Sequence, residues 1–148
     1  MKGGLVVAGE VNKTLAQRHF DDVLNAGDLA AVDEIYADDV VFRGPSGVLC
    51  GRERVREWIT DVHLAFQEFS VNVDFMIAEG DRVLVRSMAR GYHRQAFMDM
   101  KASDRRLVLP MVFVFGMARE KITELEVFYD SKVFVEELGS SVPLARKW

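Results

Sequence analysis

The spacing of apolar residues changes period once along this 148-residue chain, and that change sets the class of fold open to it. Up to Phe66 apolar side chains recur every three or four residues, and from Phe69 onward they alternate. Leu15, Phe20, Val23 and Leu24 define one face of a helix over Thr14 to Asn25, and Gly27 suits its end. Asp28 caps a second short helix, Leu29 to Tyr36, with Leu29, Val32, Ile35 and Tyr36 on one stripe. Asp39 to Arg43 reads as a strand closed by the Gly44-Pro45-Ser46-Gly47 turn. Gly51 precedes a third helix, Arg52 to Phe66, that carries Val55, Trp58, Ile59, Val62 and Phe66 on one side.

Beyond Phe66 the chain reads as strands. Phe69 to Glu79 alternates, Glu79-Gly80-Asp81-Arg82 forms a hairpin turn, and Arg82 to Gln95 is a long strand. Ala96 to Arg106 is irregular, and Leu107 to Met117 is apolar enough for a strand covered on both faces. After a turn at Ala118 to Lys121 comes a last strand, Ile122 to Asp130, and a short helix from Ser131. Helix, helix, strand, helix, then four antiparallel strands is an α+β arrangement, with the helices on one face of a curved sheet. Neither repeats nor linkers divide it, so the reading is a single domain over 13–140 between tails at 1–12 and 141–148.

Composition narrows the partners. A net charge of −4, and a basic cluster at Arg52 to Arg56 broken by Glu53, exclude a phosphate-neutralising stripe for nucleic acid. Cys50 is the single cysteine, which leaves no internal disulfide or cysteine-built zinc site and suits the cytoplasm. Met1 to Gly9 is too short for a signal peptide or membrane span. No metal spacing, phosphate loop, dinucleotide fingerprint or nucleophile elbow is present, so no cofactor is expected.

Alternation along the last strand puts Glu124, Glu126, Phe128 and Asp130 on one face and Leu125, Val127 and Tyr129 on the other. The carboxylate face is either solvated or lines a pocket where a carboxylate works as acid or base. Asp130 also suits the N-cap of the Ser131 helix, and Glu124 and Glu126 can meet solvent or an arginine such as Arg86 or Arg90. His93 shares a face with Val83, Val85, Ser87, Ala89 and Gly91, small residues that leave room for a ligand, although a lone histidine there is equally a structural one. Phe42, Trp58, Phe66, Met111, Phe113 and Phe115 are core or pocket wall, with Phe42 and Trp58 chosen to face a cavity.

Four stretches resemble a known family. They are Asn25-Ala26-Gly27-Asp28-Leu29, Gly51-Arg52-Glu53 with Val55, Ala78 to Arg86, and Lys121 to Asp130 with Glu137-Leu138-Gly139. Together they resemble the SnoaL-like polyketide cyclases (ester cyclases) of the nuclear transport factor 2-like superfamily. The resemblance implies a cone, the cystatin-like α+β barrel, in which a bent antiparallel or mixed sheet packs against three N-terminal helices. It further implies a cofactor-independent enzyme of secondary metabolism that closes a ring in a small hydrophobic, polyketide-like substrate by an aldol-type step, or a related cyclisation or isomerisation. Asp130 falls on the family's general acid/base, and His93 on a cavity-facing Gly-x-His. Glu126 replaces an expected Trp and becomes a second candidate acid/base. His93, Tyr129 or an arginine would stabilise the enolate. The substrate-binding set implied is Phe42, Trp58, Phe66, Arg90, Met111, Phe113 and Tyr129.

Departures matter as well. Arg94 to Lys101 lacks the family's glycines and proline, so that wall of the pocket should differ. Related epoxide hydrolases pair Arg-x-Asp, whereas Arg90 is followed two residues on by Tyr92, which disfavours epoxide hydrolysis or dehydration as the alternative. A non-catalytic ligand-binding or dimerisation module is the other alternative. The Leu107 to Met117 strand suits the sheet-to-sheet homodimers of this fold. The cyclase reading requires Asp130 and His93 to face one enclosed cavity.

Overall fold

A computed structural model describes residues 3–139, with side chains from residue 9 onward; the tail expected at 141–148 lies outside the described residues. The first helix, α1 (Gly3–Arg18), begins well before the expected Thr14, so residues 3–12 are helical where a tail was expected. It passes directly into a π-helical segment, His19–Asn25, that buries His19, Phe20, Val23 and Leu24. Asn25 ends it by pairing with a strand: its amide donates to the Val71 carbonyl at 3.0 Å and accepts from the Val71 N–H at 2.7 Å. The side chain thus satisfies a strand backbone that no neighbouring strand reaches.

Helix α2 (Leu29–Ile35) is capped as its sequence implies, with the Asp28 carboxylate accepting from Ala30 N–H at 3.0 Å. Tyr36 opens strand β1 (Tyr36–Gly44) instead of closing the helix. A short strand β2 (Gly47–Cys50) pairs back on β1 through the Gly44–Gly47 turn. Then come α3 (Arg52–Ala65), β3 (Phe66–Glu79), β4 (Arg82–His93), β5 (Arg106–Ala118), β6 (Lys121–Phe128) and α4 (Ser131–Glu137). The result is the expected α+β class: one curved, unclosed six-stranded sheet of order β2-β1-β6-β5-β4-β3, antiparallel except where β1 runs parallel to β6.

Curvature has local causes. Register shifts between Gln67 and Ser70 and between Val73 and Phe75 bend β3 against β4, and Glu68 at φ 55° marks the first. At Gly91, directly across that bend, a Cβ would sit 3.4 Å from both Phe66 Cβ and Phe69 Cα, so β3 packs close against β4 there. The inner sheet face meets the helices in one core that includes Phe20, Val32, Ile59, Val85, Phe113, Phe115 and Leu125. Leu107 to Met117 is less symmetrically covered than its composition suggests. Leu107, Leu109, Phe113 and Phe115 are buried inward, whereas Pro110 is exposed and Val108, Val112 and Val114 are only half-buried.

Candidate functional site

At the open end of the cone the sheet and helices leave a cavity of about 330 Å³. Its walls come from separate elements: Phe42 from β1, Trp58 and Val62 from α3, Phe66, Phe69 and Val71 from β3, Ala89 from β4, Leu107, Leu109, Met111 and Phe113 from β5, Val127 from β6. Phe42 and Trp58 meet edge to face with centroids 5.5 Å apart. Pro45, Ser46, Gly47, Val48 and Met98 line it while exposed to solvent, so the β1–β2 turn and the loop after β4 form the mouth. Cavities of a few hundred cubic ångströms with apolar walls and a few polar groups are the usual form of a small-molecule site.

Polar groups gather at that mouth. Tyr129 lines the cavity with Ser46 beside it. Burial raises the Tyr129 phenol above its ordinary value, and the Ser46 contact offsets this only in part. The phenol therefore stays protonated at neutral pH and can donate to a ligand oxygen. Arg54, on the first turn of α3, reaches the mouth while paired with Glu57 at 3.2 Å.

Of the residues singled out in the sequence, the cavity gathers Phe42, Trp58, Phe66, Met111, Phe113 and Tyr129. Four others stand elsewhere. Asp130 is exposed and occupies the N-cap of α4, where its Oδ1 accepts from Lys132 N–H at 2.9 Å and Val133 N–H at 3.2 Å. Glu126 points outward and is exposed. The reason is the alternation of side chains along β6: Leu125 and Val127 take the core side, so Glu124, Glu126 and Phe128 take the solvent side. Glu124 pairs there with Arg82 at 3.1 Å and Arg43 at 3.6 Å, not with Arg86 or Arg90. Arg90 also lies on the outer face and donates to Asn72 at 3.3 Å.

His93 does face inward but lies behind the cavity wall. It is fully buried, its ring stacks on Phe66 with centroids 5.4 Å apart, and its Nδ1 bonds Ser103 Oγ at 3.0 Å. Burial lowers its pKa, which the Gln95 backbone and the Asp104 charge offset only in part. Among the described residues, then, the cavity lining holds no carboxylate and no imidazole. Nor do the described residues bring three potential metal ligands together, and no described helix is long and apolar enough to cross a membrane.

Sequence reasoning missed Phe97 and the β1–β2 turn as parts of the wall, whereas Met98, one of the methionines that could give an adaptable lining, is in it. Phe97 comes from the stretch whose lost glycines and proline marked a changed wall, and it packs edge-on to Phe66 at 5.2 Å. The Gly44–Gly47 turn gave no signal that it would hang over a pocket, since a hairpin turn reads the same whichever way it points.

The fold is an α+β cone with a single helical layer and an apolar cavity that opens at one end. The chain belongs to the SnoaL-like polyketide cyclase family, whose model matches residues 14–135. Solved structures share the fold at low identity. A candidate SnoaL-like polyketide cyclase from Jannaschia sp. CCS1 is 22% identical with TM-score 0.83, over 91% of this chain and 95% of that one. IdmH from Streptomyces antibioticus, a candidate polyketide cyclase, is 22% identical with TM-score 0.74, over 86% and 98%. An LEH-like epoxide hydrolase from M. tuberculosis is 17% identical with TM-score 0.72, over 88% and 90%. No curated protein matches the sequence.

Proposed function

We propose that the chain binds a flat, hydrophobic, polyketide-like molecule in the cavity, with Tyr129 and Ser46 holding an oxygen of the ligand at the mouth. The observation that carries this is the lining itself: aromatic and aliphatic side chains from helix and sheet, with polar groups confined to one end. Burying a flat ring system against Trp58, Phe42, Phe113 and Met111 supplies affinity through apolar area removed from water, at about 25 cal/mol per Å².

Aldol-type ring closure, the chemistry the resemblance implies, needs a base for an acidic C–H. We propose that Asp130 serves as a helix cap and not as that base, because its carboxylate already accepts two backbone N–H groups outside the cavity. Asp130 and His93 do not face one enclosed cavity, and among the described residues the lining supplies no group to take up the C–H proton, so the reading favoured is ligand binding, with the Tyr129 hydroxyl donating to a ligand carbonyl. Epoxide opening has no lining carboxylate to activate water. The one free cysteine, Cys50, fits a cytoplasmic setting.

Two copies would pair through the outer sheet face. Phe75, Ile77, Leu84 and Phe128 are exposed there beside Arg82, Arg86, Asp74 and Glu124. Charges of both signs around an apolar patch match a second copy of the same face better than a strongly charged partner.

The test is fluorescence titration of Trp58 with a tricyclic aromatic sulfonate, in a Trp148→Phe background. Ala89→Leu fills the cavity from β4. Binding in the micromolar range that Ala89→Leu weakens at least about tenfold supports the reading. Equal binding by both proteins places the ligand elsewhere and overturns it.

A further inference from the structure

The connection between β4 and β5 brings Phe97 and Met98 into the cavity wall at the mouth. Phe97 and Met100 bond each other twice, N–H to carbonyl in both directions at 2.9 Å, so Phe97 to Met100 closes on itself as a tight turn. Its two central residues, Met98 and Asp99, stand at φ 50° and 67°, as a type I′ turn requires. Glycine and asparagine are the usual occupants of such a turn, and neither is present. Strained backbone of this kind gathers at ligand clamps and switch regions.

The two ends of the connection are anchored. The Arg94 and Gln95 N–H groups both donate to the Ala65 carbonyl, at 2.8 and 3.1 Å, and the Asp104 N–H donates to the His93 carbonyl at 2.8 Å. His93 Nδ1 also holds Ser103 Oγ at 3.0 Å, and Arg94 pairs with Asp104 at 3.2 Å. Between these anchors and the turn lie Ala96 on one side and Lys101 and Ala102 on the other. All three are exposed, and among the described residues none of them makes a backbone hydrogen bond. The turn is therefore one bonded unit hung on two unbonded tethers.

Apolar packing alone holds that unit down. The Phe97 ring meets Phe66 at 5.2 Å and Phe134 at 6.5 Å, and Met100 is buried beside them in the core cluster. Raising the turn breaks no backbone hydrogen bond to the rest of the chain and uncovers chiefly Phe97 and Met100. Segments with so few ties open most easily in a folded protein.

We propose that Phe97 to Met100 is a lid, which swings as a unit about Ala96 and Lys101–Ala102 and opens the mouth between Met98 and the β1–β2 turn. Phe97 is its latch and reseats on Phe66 once the cavity is filled. This rests on the cavity being the binding site and adds to it the route by which a ligand enters and is retained.

The experiment is methyl relaxation dispersion on the intact chain with isotope-labelled methionine methyls, free and saturated with anthraquinone-2-sulfonate. Lids move on the microsecond-to-millisecond scale that this measurement reads. In the free protein Met98 and Met100 should exchange at one shared rate, Met117, buried on β5 outside the lining, should not, and the bound probe should quench the exchange. Ala102→Pro stiffens one tether without touching the lining or removing a bonded N–H. In stopped-flow Trp58 fluorescence, in the Trp148→Phe background, it should slow association and dissociation alike by at least about fivefold, with Kd within about twofold. Flat profiles at Met98 and Met100 in the free protein, different rates at the two, or exchange that the bound probe leaves unchanged overturns the lid while leaving the cavity reading standing. So do unchanged rates in a folded Ala102→Pro. Failure of the probe to alter Trp58 fluorescence overturns both.

Discussion

Replacing Asp130 separates its two assignments by stability before any substrate is known. Its Oδ1 accepts from the N–H groups of Lys132 and Val133, two of the donors that the start of α4 cannot satisfy within the helix. Removing such a cap costs about 1 kcal/mol, whereas asparagine caps nearly as well as aspartate. Local fraying of α4 reaches the whole protein because Phe134 and Leu138 are buried, and Phe134 packs on Tyr129 at 5.5 Å and Phe97 at 6.5 Å. For a chain of this length, ~1 kcal/mol corresponds to about 3–4 °C in Tm. Asp130→Ala should therefore melt about 3–4 °C below wild type, and Asp130→Asn within about 1 °C of it, by circular dichroism at one pH. Asp130→Asn, which keeps the cap, should leave the affinity of a cavity probe unchanged. Asp130→Asn that melts normally yet loses probe binding or turnover would show the carboxylate acting in the site, and the cap assignment would be wrong.

Other expectations follow from the same contacts. Burial lowers the His19 pKa to about 3 from its ordinary 6.5. Below pH 6.5 the unfolded chain takes up a proton that the native His19 refuses, so stability falls by about 1.4 kcal/mol per pH unit, or about 2 kcal/mol by pH 5. Urea unfolding of His19→Phe should show a correspondingly shallower decline between pH 6.5 and 4, and parallel curves would refute the neutral buried histidine. Leu84→Lys puts a charge in the exposed apolar patch of the outer sheet face and should convert a dimer to a monomer in sedimentation; an unchanged mass would remove that face as the interface. Tyr129→Phe should weaken an oxygen-bearing probe without altering an oxygen-free one, since the Ser46 side of the mouth is left without its phenol donor.

The architecture was legible because periodicity reports burial over many residues. Three helices and the four later strands follow from it; the Asp28 cap follows from residue type, whereas for Asp130 the cap was only the lesser alternative to a general acid/base. Strand β2 was not legible: Gly47–Cys50 is short, mostly exposed and paired only with β1, so no alternation marks it. The π-helical segment was also hidden, because seven residues are too few to separate its pitch from that of an ordinary helix. For the site, alternation sorted β6 correctly into two faces but could not say which face the core would claim. That choice depends on Leu125 and Val127 packing inward, and it turned the carboxylates to solvent. His93 was rightly placed inward, yet stacking on Phe66 puts it behind the wall.

The most direct measurement is a crystal structure of the protein soaked with anthraquinone-2-sulfonate. The account expects the ring system between Trp58 and Phe113, with an oxygen near Tyr129. Density instead beside Glu126 and Phe128 on the outer face of β6, or at Asp130 beyond it, would contradict it.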